Sequence, residues 1–529
     1  MIKKLKILLI LFGIVYTQIS IDDISSLNNN EKKKLEVYLN LFENDNRDYE
    51  ALKKIKDLLS EKKDFHLLIP LYKQHLNSIK GSKKYFETKV ELLEIKIWAN
   101  APDWGDYLNS IINEPEINQT KIEYVLYKLI QNKKINKAYE LVQNIRIKNN
   151  TPYFFSKKLI SVFKKNNRYK DSINEALIYL VNSPNISRNN NSIANKIIID
   201  QIFELSDHIL KNALINNFLL PISNKQFSAN TFLNTNFFKI KKTNDIDYIM
   251  NIYEELIKNN IDVENSKLKL ADINYTILDD FDNAYKIYEQ VEKKSSRISI
   301  DTEAIIGKIN ILIAKGYLDS AQVLVDKQKM ILNKFQSHSS KKNLLNKLNY
   351  KGTQILFYKG NYNEMNLSLD SLIQEIELQN ENCNDLLEIK TISLFFNQDQ
   401  EDFKKYSAIQ HKIQMNKSFE SLLDLIQLMD TENMLINELA QFQYAIIELE
   451  KGNIENAQKI ISSMNQKTIF YELSLIINAE IEDYINKNYE IAIKLYEQFI
   501  EEYPNSIYKE NILKRLNEIY KLLMKDLDL

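Results

Sequence analysis

The stretch that decides the fold is Asn488-Tyr489-Glu490-Ile491-Ala492-Ile493-Lys494-Leu495-Tyr496, which closes on Tyr503-Pro504. Asp280-Phe281-Asp282-Asn283-Ala284-Tyr285-Lys286-Ile287-Tyr288 repeats its plan: an aromatic, two polar-leaning residues, an alanine, and a second aromatic four residues on. Leu495, Tyr496, Phe499 and Ile500 follow Ala492, and Ile287, Tyr288 and Val291 follow Ala284. Steps of three, four, seven and eight put each set on one helical stripe. Ala138 leads Leu141, Val142 and Ile145 in the same phase, and Ala321 leads Leu324 and Val325.

Working outward, the flanks repeat too. Gly316, Gly360 and Gly452 stand five residues before Ala321, Met365 and Ala457, and Gly105 before Ser110 suggests a fourth case. A glycine there suits a helix exit, where a left-handed backbone costs it little. Ala271, Gly352 and Ala479 stand thirteen residues ahead of the alanine phase, and Ala445 twelve, so a preceding helix would approach closely at a small residue. Pro504 and Pro184 fall twelve after Ala492 and Ser172, where a helix should end.

Paired helices, a Gly-aromatic-x-x-Ala turn, an aromatic four later and a closing proline resemble tetratricopeptide repeats. The period is 34 from Ala138 to Ser172, 35 from Ala457 to Ala492 and 37 from Ala284 to Ala321. The resemblance is strong over 264–379 and 431–529, weak over 31–220 and absent around 221–245. Met365 to Ala457 spans 92 residues and needs an additional unit, for which Asp402–Tyr406 is the candidate. The expected fold is all-α, helix-turn-helix repeats stacked into a right-handed α-solenoid. Its divisions are a signal peptide over 1–17, degenerate helical repeats over 18–220, an irregular junction over 221–245, repeats over 246–505 and a capping helix over 506–529. In the junction, Phe227, Phe232, Phe237 and Phe238 would fill the joint between two halves or present a binding patch. The capping helix should turn Ile512, Leu516, Ile519 and Leu523 inward.

Composition excludes more than it selects. The chain has 529 residues, 70 Lys+Arg against 71 Asp+Glu, 8 Gly, 7 Pro and a single cysteine, Cys383. Few turn-formers argue against a β-rich chain. Balanced charge argues against a nucleic-acid partner, and one cysteine cannot build a disulfide framework or a cysteine-based metal centre. Lys3, Lys4 and Lys6 ahead of the apolar run Ile7–Tyr16 predict an export signal cut near Thr17–Gln18, too short to span a bilayer. The mature product would be periplasmic or secreted, with no integral membrane span.

No catalytic, cofactor-binding or metal residue is assigned. His66, His75, His208, His338 and His411 form no paired-ligand spacing. Asp279-Asp280-Phe281-Asp282 lacks the glycine and terminal glutamate of a calcium loop and reads as a helix cap plus repeat turn. Some proteins of the resembled family grip a peptide carboxylate with Lys-x-x-x-Asn; Lys128/Asn132 and Lys342/Asn346 fit that element alone. Trp98 and Trp104 read as packing residues rather than a sugar platform. With 63 asparagines among abundant Lys and Ile, codon bias accounts for the composition better than a specialised surface. The resemblance implies a non-catalytic scaffold of the cell envelope, holding a protein or peptide partner in a concave groove, in an envelope-associated complex and without a cofactor. The alternative is a glycan-binding or polysaccharide-processing helical-repeat protein.

Overall fold

Seven helices begin three residues before the residue that marks the repeat phase: Ile135 before Ala138, Tyr169 before Ser172, Phe281 before Ala284, Leu318 before Ala321, Tyr362 before Met365, Ile454 before Ala457 and Tyr489 before Ala492. All seven marked residues are fully buried. The residue two before each helix has a left-handed backbone: Lys133, Asn167, Asp279, Gly316, Gly360, Gly452 and Lys487, with φ between 54° and 84°. The next amide then returns to a carbonyl of the previous helix, as Lys134 does to Leu129 at 2.9 Å and Asn453 to Glu448 at 2.9 Å. This closure satisfies carbonyls that a helix end leaves free and turns the chain back on itself. Gly105 does not join the set. It lies inside the helix Trp104–Ile112, and the left-handed residue ahead of that helix is Asn100 (φ 48°).

The computed structural model describes residues 27–183, 193–216, 243–295, 297–335, 341–375, 383–464 and 469–527. Among them are 25 α-helices and no strand, packed in consecutive pairs as a tetratricopeptide-like helical solenoid. The leader 1–17 and the four junction phenylalanines lie outside the described residues. No helix among the described residues is long and apolar enough to cross a membrane.

Backbone contacts divide the chain into two units, Met1–Asn189 and Asn190–Leu529. In the first, the described helices are α1 (Asn29–Asn44), α2 (Tyr49–Glu61), α3 (Leu68–Ser78), α4 (Tyr85–Trp98), α5 (Trp104–Ile112), α6 (Gln119–Gln131), α7 (Ile135–Asn149), α8 (Ser156–Lys165) and α9 (Tyr169–Asn182). Its left-handed turns at Lys63, Asn100, Lys133 and Asn167 stand 37, 33 and 34 residues apart. The spacing is more regular here than in the second unit, although no glycine marks it. There the turns at Asp279, Gly316, Gly360, Asn416, Gly452 and Lys487 stand 37, 44, 56, 36 and 35 residues apart.

The second unit contains α10 (Ile193–Asn216), α11 (Asn244–Lys258), α12 (Val263–Thr276), α13 (Phe281–Lys294), α14 (Ile298–Ala314), α15 (Leu318–Lys334), α16 (Lys341–Tyr358) and α17 (Tyr362–Glu375). Then follow α18 (Cys383–Phe395), α19 (Gln400–Gln414), α20 (Leu422–Met429), α21 (Met434–Lys451), α22 (Ile454–Ser462), α23 (Ile469–Glu480), α24 (Tyr489–Glu502) and α25 (Lys509–Leu527). The additional unit is the hairpin of α19 and α20, turning at left-handed Asn416. Asp402–Tyr406 therefore sits on its first helix, one helix earlier than the motif spacing implies. Phe403 and Tyr406 fill the joint, with Phe403 edge-on to Phe357 at 5.8 Å and to Tyr362 at 5.1 Å.

The stripes bury as hairpin pairs. In the last of them Tyr471, Leu475, Ile476 and Ala479 of α23 meet Ala492, Tyr496 and Phe499 of α24, and Ile512, Leu516 and Ile519 of α25 cover both. The aromatic four after the alanine has a second task. Tyr496 donates to Asp483 at 3.1 Å and Tyr288 to Asp272 at 2.5 Å, so each buried ring satisfies its hydroxyl on the preceding element. Arg515 from α25 closes the Asp483 site with two bonds of 2.8 Å.

Candidate functional site

The residues singled out in the sequence are mostly spent on the fold. Lys128 lies 3.2 Å from Glu94, Asn132 donates to the same carboxylate at 3.0 Å, and Trp98 donates its indole N–H to Asn132. Burial opposes the Lys128 charge, but the hydrogen bond and charge of Glu94 outweigh it and raise its pKa above the usual lysine value. This pair satisfies a buried glutamate. Trp98 packs against Phe65 at 5.3 Å in one core cluster, while Trp104 packs in the next, so the two indoles form no common platform.

His75 is buried with Nδ1 2.6 Å from the Asn46 carbonyl. His411 stacks on Tyr358 at 5.2 Å and lies 3.2 Å from the Ile313 carbonyl, and burial lowers its pKa. His338 lies outside the described residues, among which no cluster of three metal-ligating side chains occurs. Asp280 caps α13 by accepting from the Asn283 amide at 3.1 Å, and Asp279 is the left-handed turn residue, as a cap and repeat turn require. Cys383 is buried at the start of α18.

Lys342 and Asn346 do line an opening, of 500 Å³, shared with Lys329, Lys341 and Glu375. Burial lowers the pKa of Lys329 there. Lys341 is already spent on the carbonyls of Asn333 and Phe335, at 3.3 and 2.9 Å.

A larger opening is in the first unit, where the sequence assigned no site residue. A cleft of about 700 Å³ lies between α5 and the start of α6 on one side and α7 with its exit on the other. Its floor is apolar, from Ile112, Ile122, Leu141, Ile145 and Phe154. Asn109 of α5 and Asn113 at its C-terminal cap, one helical turn apart, face Asn144 and Asn149 of α7 across it. These four exposed amides make no side-chain hydrogen bond among the described residues. Lys148, Lys157 and Lys158 bring positive charge, against Glu123 alone.

The local sequence explains the lip. Asn150 ends α7 in a left-handed conformation (φ 51°) and Pro152 prevents the helix from resuming. Phe155 then takes φ 62°, which costs a bulky residue about 1–3 kcal/mol. Arg146 holds it there. Its guanidinium donates to the Phe154 carbonyl at 3.0 and 2.8 Å, to Ser156 Oγ at 2.8 Å and to both Glu175 carboxylate oxygens at 2.9 and 2.7 Å. Arg146 and Glu175 are 5% and 1% exposed, so the pair is desolvated and fully hydrogen-bonded. Removing either partner would leave a buried charge alone, at a cost of about 3–5 kcal/mol.

With this geometry the repeat can be compared with known families. Residues 476–506 match the tetratricopeptide repeat family model. The matched span runs from the second half of α23 through the turn at Lys487 to the Tyr503-Pro504 close. It is the hairpin whose sequence decided the fold, and it supports placing the repeats with the tetratricopeptide family. No curated protein sequence matches the chain significantly. Tetratricopeptide repeats generally mediate protein–protein contacts.

Proposed function

We propose that the protein is a non-catalytic interaction scaffold, exported to the cell envelope, that holds a segment of a partner protein in the cleft between α5 and α7. The observation that carries this reading is the cleft itself. Its floor can bury apolar side chains, and its four unpaired asparagine amides can fix a main chain in register. A rigid lip lowers the ordering cost of binding, because the strained turn at Phe155 is already set by Arg146. Export is supported by the basic start and apolar run of Lys3–Tyr16.

Two measurements test the reading. Mass spectrometry of protein from its native host should find a mature N-terminus near Gln18; intact Met1 would remove the envelope assignment. A photo-crosslinking residue at Asn144 should capture a discrete protein in living cells, whereas one at exposed Lys494 should not. Equal capture at both positions would discard the cleft as the docking site.

A further inference from the structure

We propose that Lys329 is a modification site: its amine, held without a partner in the opening beside Gly352, takes a small aldehyde as a reversible imine. The inference stands apart from the scaffold reading and lies in the other unit of the chain. It starts from the repeat register. Eight residues after the marked residue of a hairpin, the stripe carries either an apolar side chain, as at Leu180, Ile373 and Ile500, or a charge with a partner. Arg146 holds Glu175 in this way, and Glu292 accepts from Lys308 at 2.7 Å. Lys329 occupies the same position after Ala321. Lys308 stands thirteen residues before Ala321, and thirteen before Met365 stands Gly352. The helix opposite Lys329 therefore offers no side chain at the place from which Lys308 answers Glu292. A Cβ on Gly352 would lie 3.6 Å from Lys329 Nζ, so the amine rests against the glycine.

Exposed lysines need no partner, because water solvates their charge. Lys329 is half-buried, and it makes no hydrogen bond, ion pair or ring contact among the described residues. Every other half-buried or buried lysine among them has a partner. Asp326 on the same helix favours the ammonium, but burial outweighs it and lowers the pKa. Lys341 of α16 is spent on two carbonyls, and Lys342 of α16 and Glu375 of α17 are exposed at the opening. A desolvated lysine amine is a nucleophile toward carbonyl carbon, and an opening of about 500 Å³ admits a small molecule to it. The Nζ lone pair attacks the aldehyde carbon to give a carbinolamine. Both N–H hydrogens then leave with the carbonyl oxygen as water, and the C=N bond forms. Nothing is oxidised or reduced, and water reverses the step.

Limited reductive alkylation of the full chain tests the proposal. Acetaldehyde is the probe, cyanoborohydride traps the imine, and peptide mass spectrometry reads each lysine. At pH 7 Lys329 should be alkylated about fivefold faster than Lys327 and Lys334, the exposed lysines of the same helix. The preference should shrink as pH rises toward the ordinary lysine value, because the exposed amines then lose their protons too. In urea, where burial is lost, the three rates should converge. Asn349 lines the same opening one helical turn before Gly352, so Asn349→Asp would supply the missing counter-charge at nearly unchanged shape. That variant should lose the preference, and Asn109→Asp in the other unit should keep it. Asn346→Asp, on the same wall, takes its place where Asn349→Asp does not fold. Alkylation of Lys329 no faster than of Lys327 and Lys334, a preference that survives urea, or one that survives the added carboxylate would each overturn the inference.

Discussion

Gly307→Ala should destabilise the protein, against the ordinary expectation for a helix-interior glycine. Replacing such a glycine with alanine normally gains about 1 kcal/mol. Gly307 lies inside α14, however, and a Cβ there would fall 2.3, 2.5 and 2.6 Å from Cζ, Cε1 and Cε2 of Tyr288. Ordinary contact begins at 3.4 Å, so the ring would have to recede by about 1 Å. It has little room to do so. Tyr288 is 1% exposed, and its hydroxyl donates to Asp272 at 2.5 Å. Overpacking of this kind costs about 1–3 kcal/mol, and a strained hydroxyl bond adds to it. Set against the helix gain, the net loss should be about 1–2 kcal/mol. Gly352→Ala is the control. That glycine is also buried within a helix, but its Cβ would meet Lys329 Nζ at 3.6 Å and Val325 Cγ1 at 3.8 Å, which is ordinary contact. It should gain up to about 1 kcal/mol. Urea unfolding gives the sign, and hydrogen exchange locates the change around 281–314. In a Tyr288→Leu background the obstructing ring is gone, so Gly307→Ala should become neutral or stabilising. Equal stabilisation by both glycine substitutions in the wild-type background would refute the packing argument.

Further outcomes follow from the same hairpins. Ala492→Leu should cost about 1–3 kcal/mol by overfilling the fully buried contact with α23 and α25, while Lys494→Leu on the exposed face should change little. Stability in a stacked array is close to a sum of local and neighbour terms, so exchange protection should fall over about 467–529 and survive near 264–330; equal harmlessness of both would break the assigned register. Gly452→Ala should cost about 1 kcal/mol in thermal unfolding although its Cβ would meet nothing within 4 Å, because the cost lies in the φ of 84° alone; an unchanged midpoint would contradict this. Burial and then the carboxylates of Glu91, Asp272 and Asp483 raise the pKa of Tyr72, Tyr288 and Tyr496 above the unfolded value near 10. Their stabilising contribution is complete below that pH and is lost as pH rises above it. Phenolate absorbance from these three should therefore appear together with loss of helical circular dichroism; ionisation in the intact fold would refute it.

The repeat was legible where small residues and glycines mark it, and dim where other residues do the same work. Gly316, Gly360 and Gly452 announce their turns because glycine accepts a left-handed backbone freely. Lys133, Asn167, Asp279 and Lys487 adopt the same conformation without announcing it. Asn and Asp tolerate that region better than most residues, but in a chain with 63 asparagines their presence distinguishes no position. The two lysines carry no local signal. Their conformation is imposed by the closing amide bonds and by the buried stripe that begins at Ala138 and Ala492. Gly105 misled for the converse reason: it follows a turn already made by Asn100, so its phase is coincidental.

The site was less legible, because its parts look structural one by one. Asparagines 109, 113 and 144 are indistinguishable in sequence from those that cap helices or fill turns, and only the fold brings them together around one cleft. The usable signal was arginine. Six occur in 529 residues, in a chain that otherwise takes its positive charge from lysine. Three of them hold carboxylates through more than one guanidinium N–H: Arg146 on Glu175, Arg297 on Glu264 at 3.0 and 2.8 Å, and Arg515 on Asp483. A lysine ammonium cannot reproduce a planar fork, so arginine persists where two bonds must be made in one plane. Arg297 does this on an exposed surface, while Arg515 closes a joint between helices. Arg146 alone of the three spends its remaining donors on a strained turn at the edge of an open cleft, and that combination is what sets the proposed docking cleft apart from a packing contact.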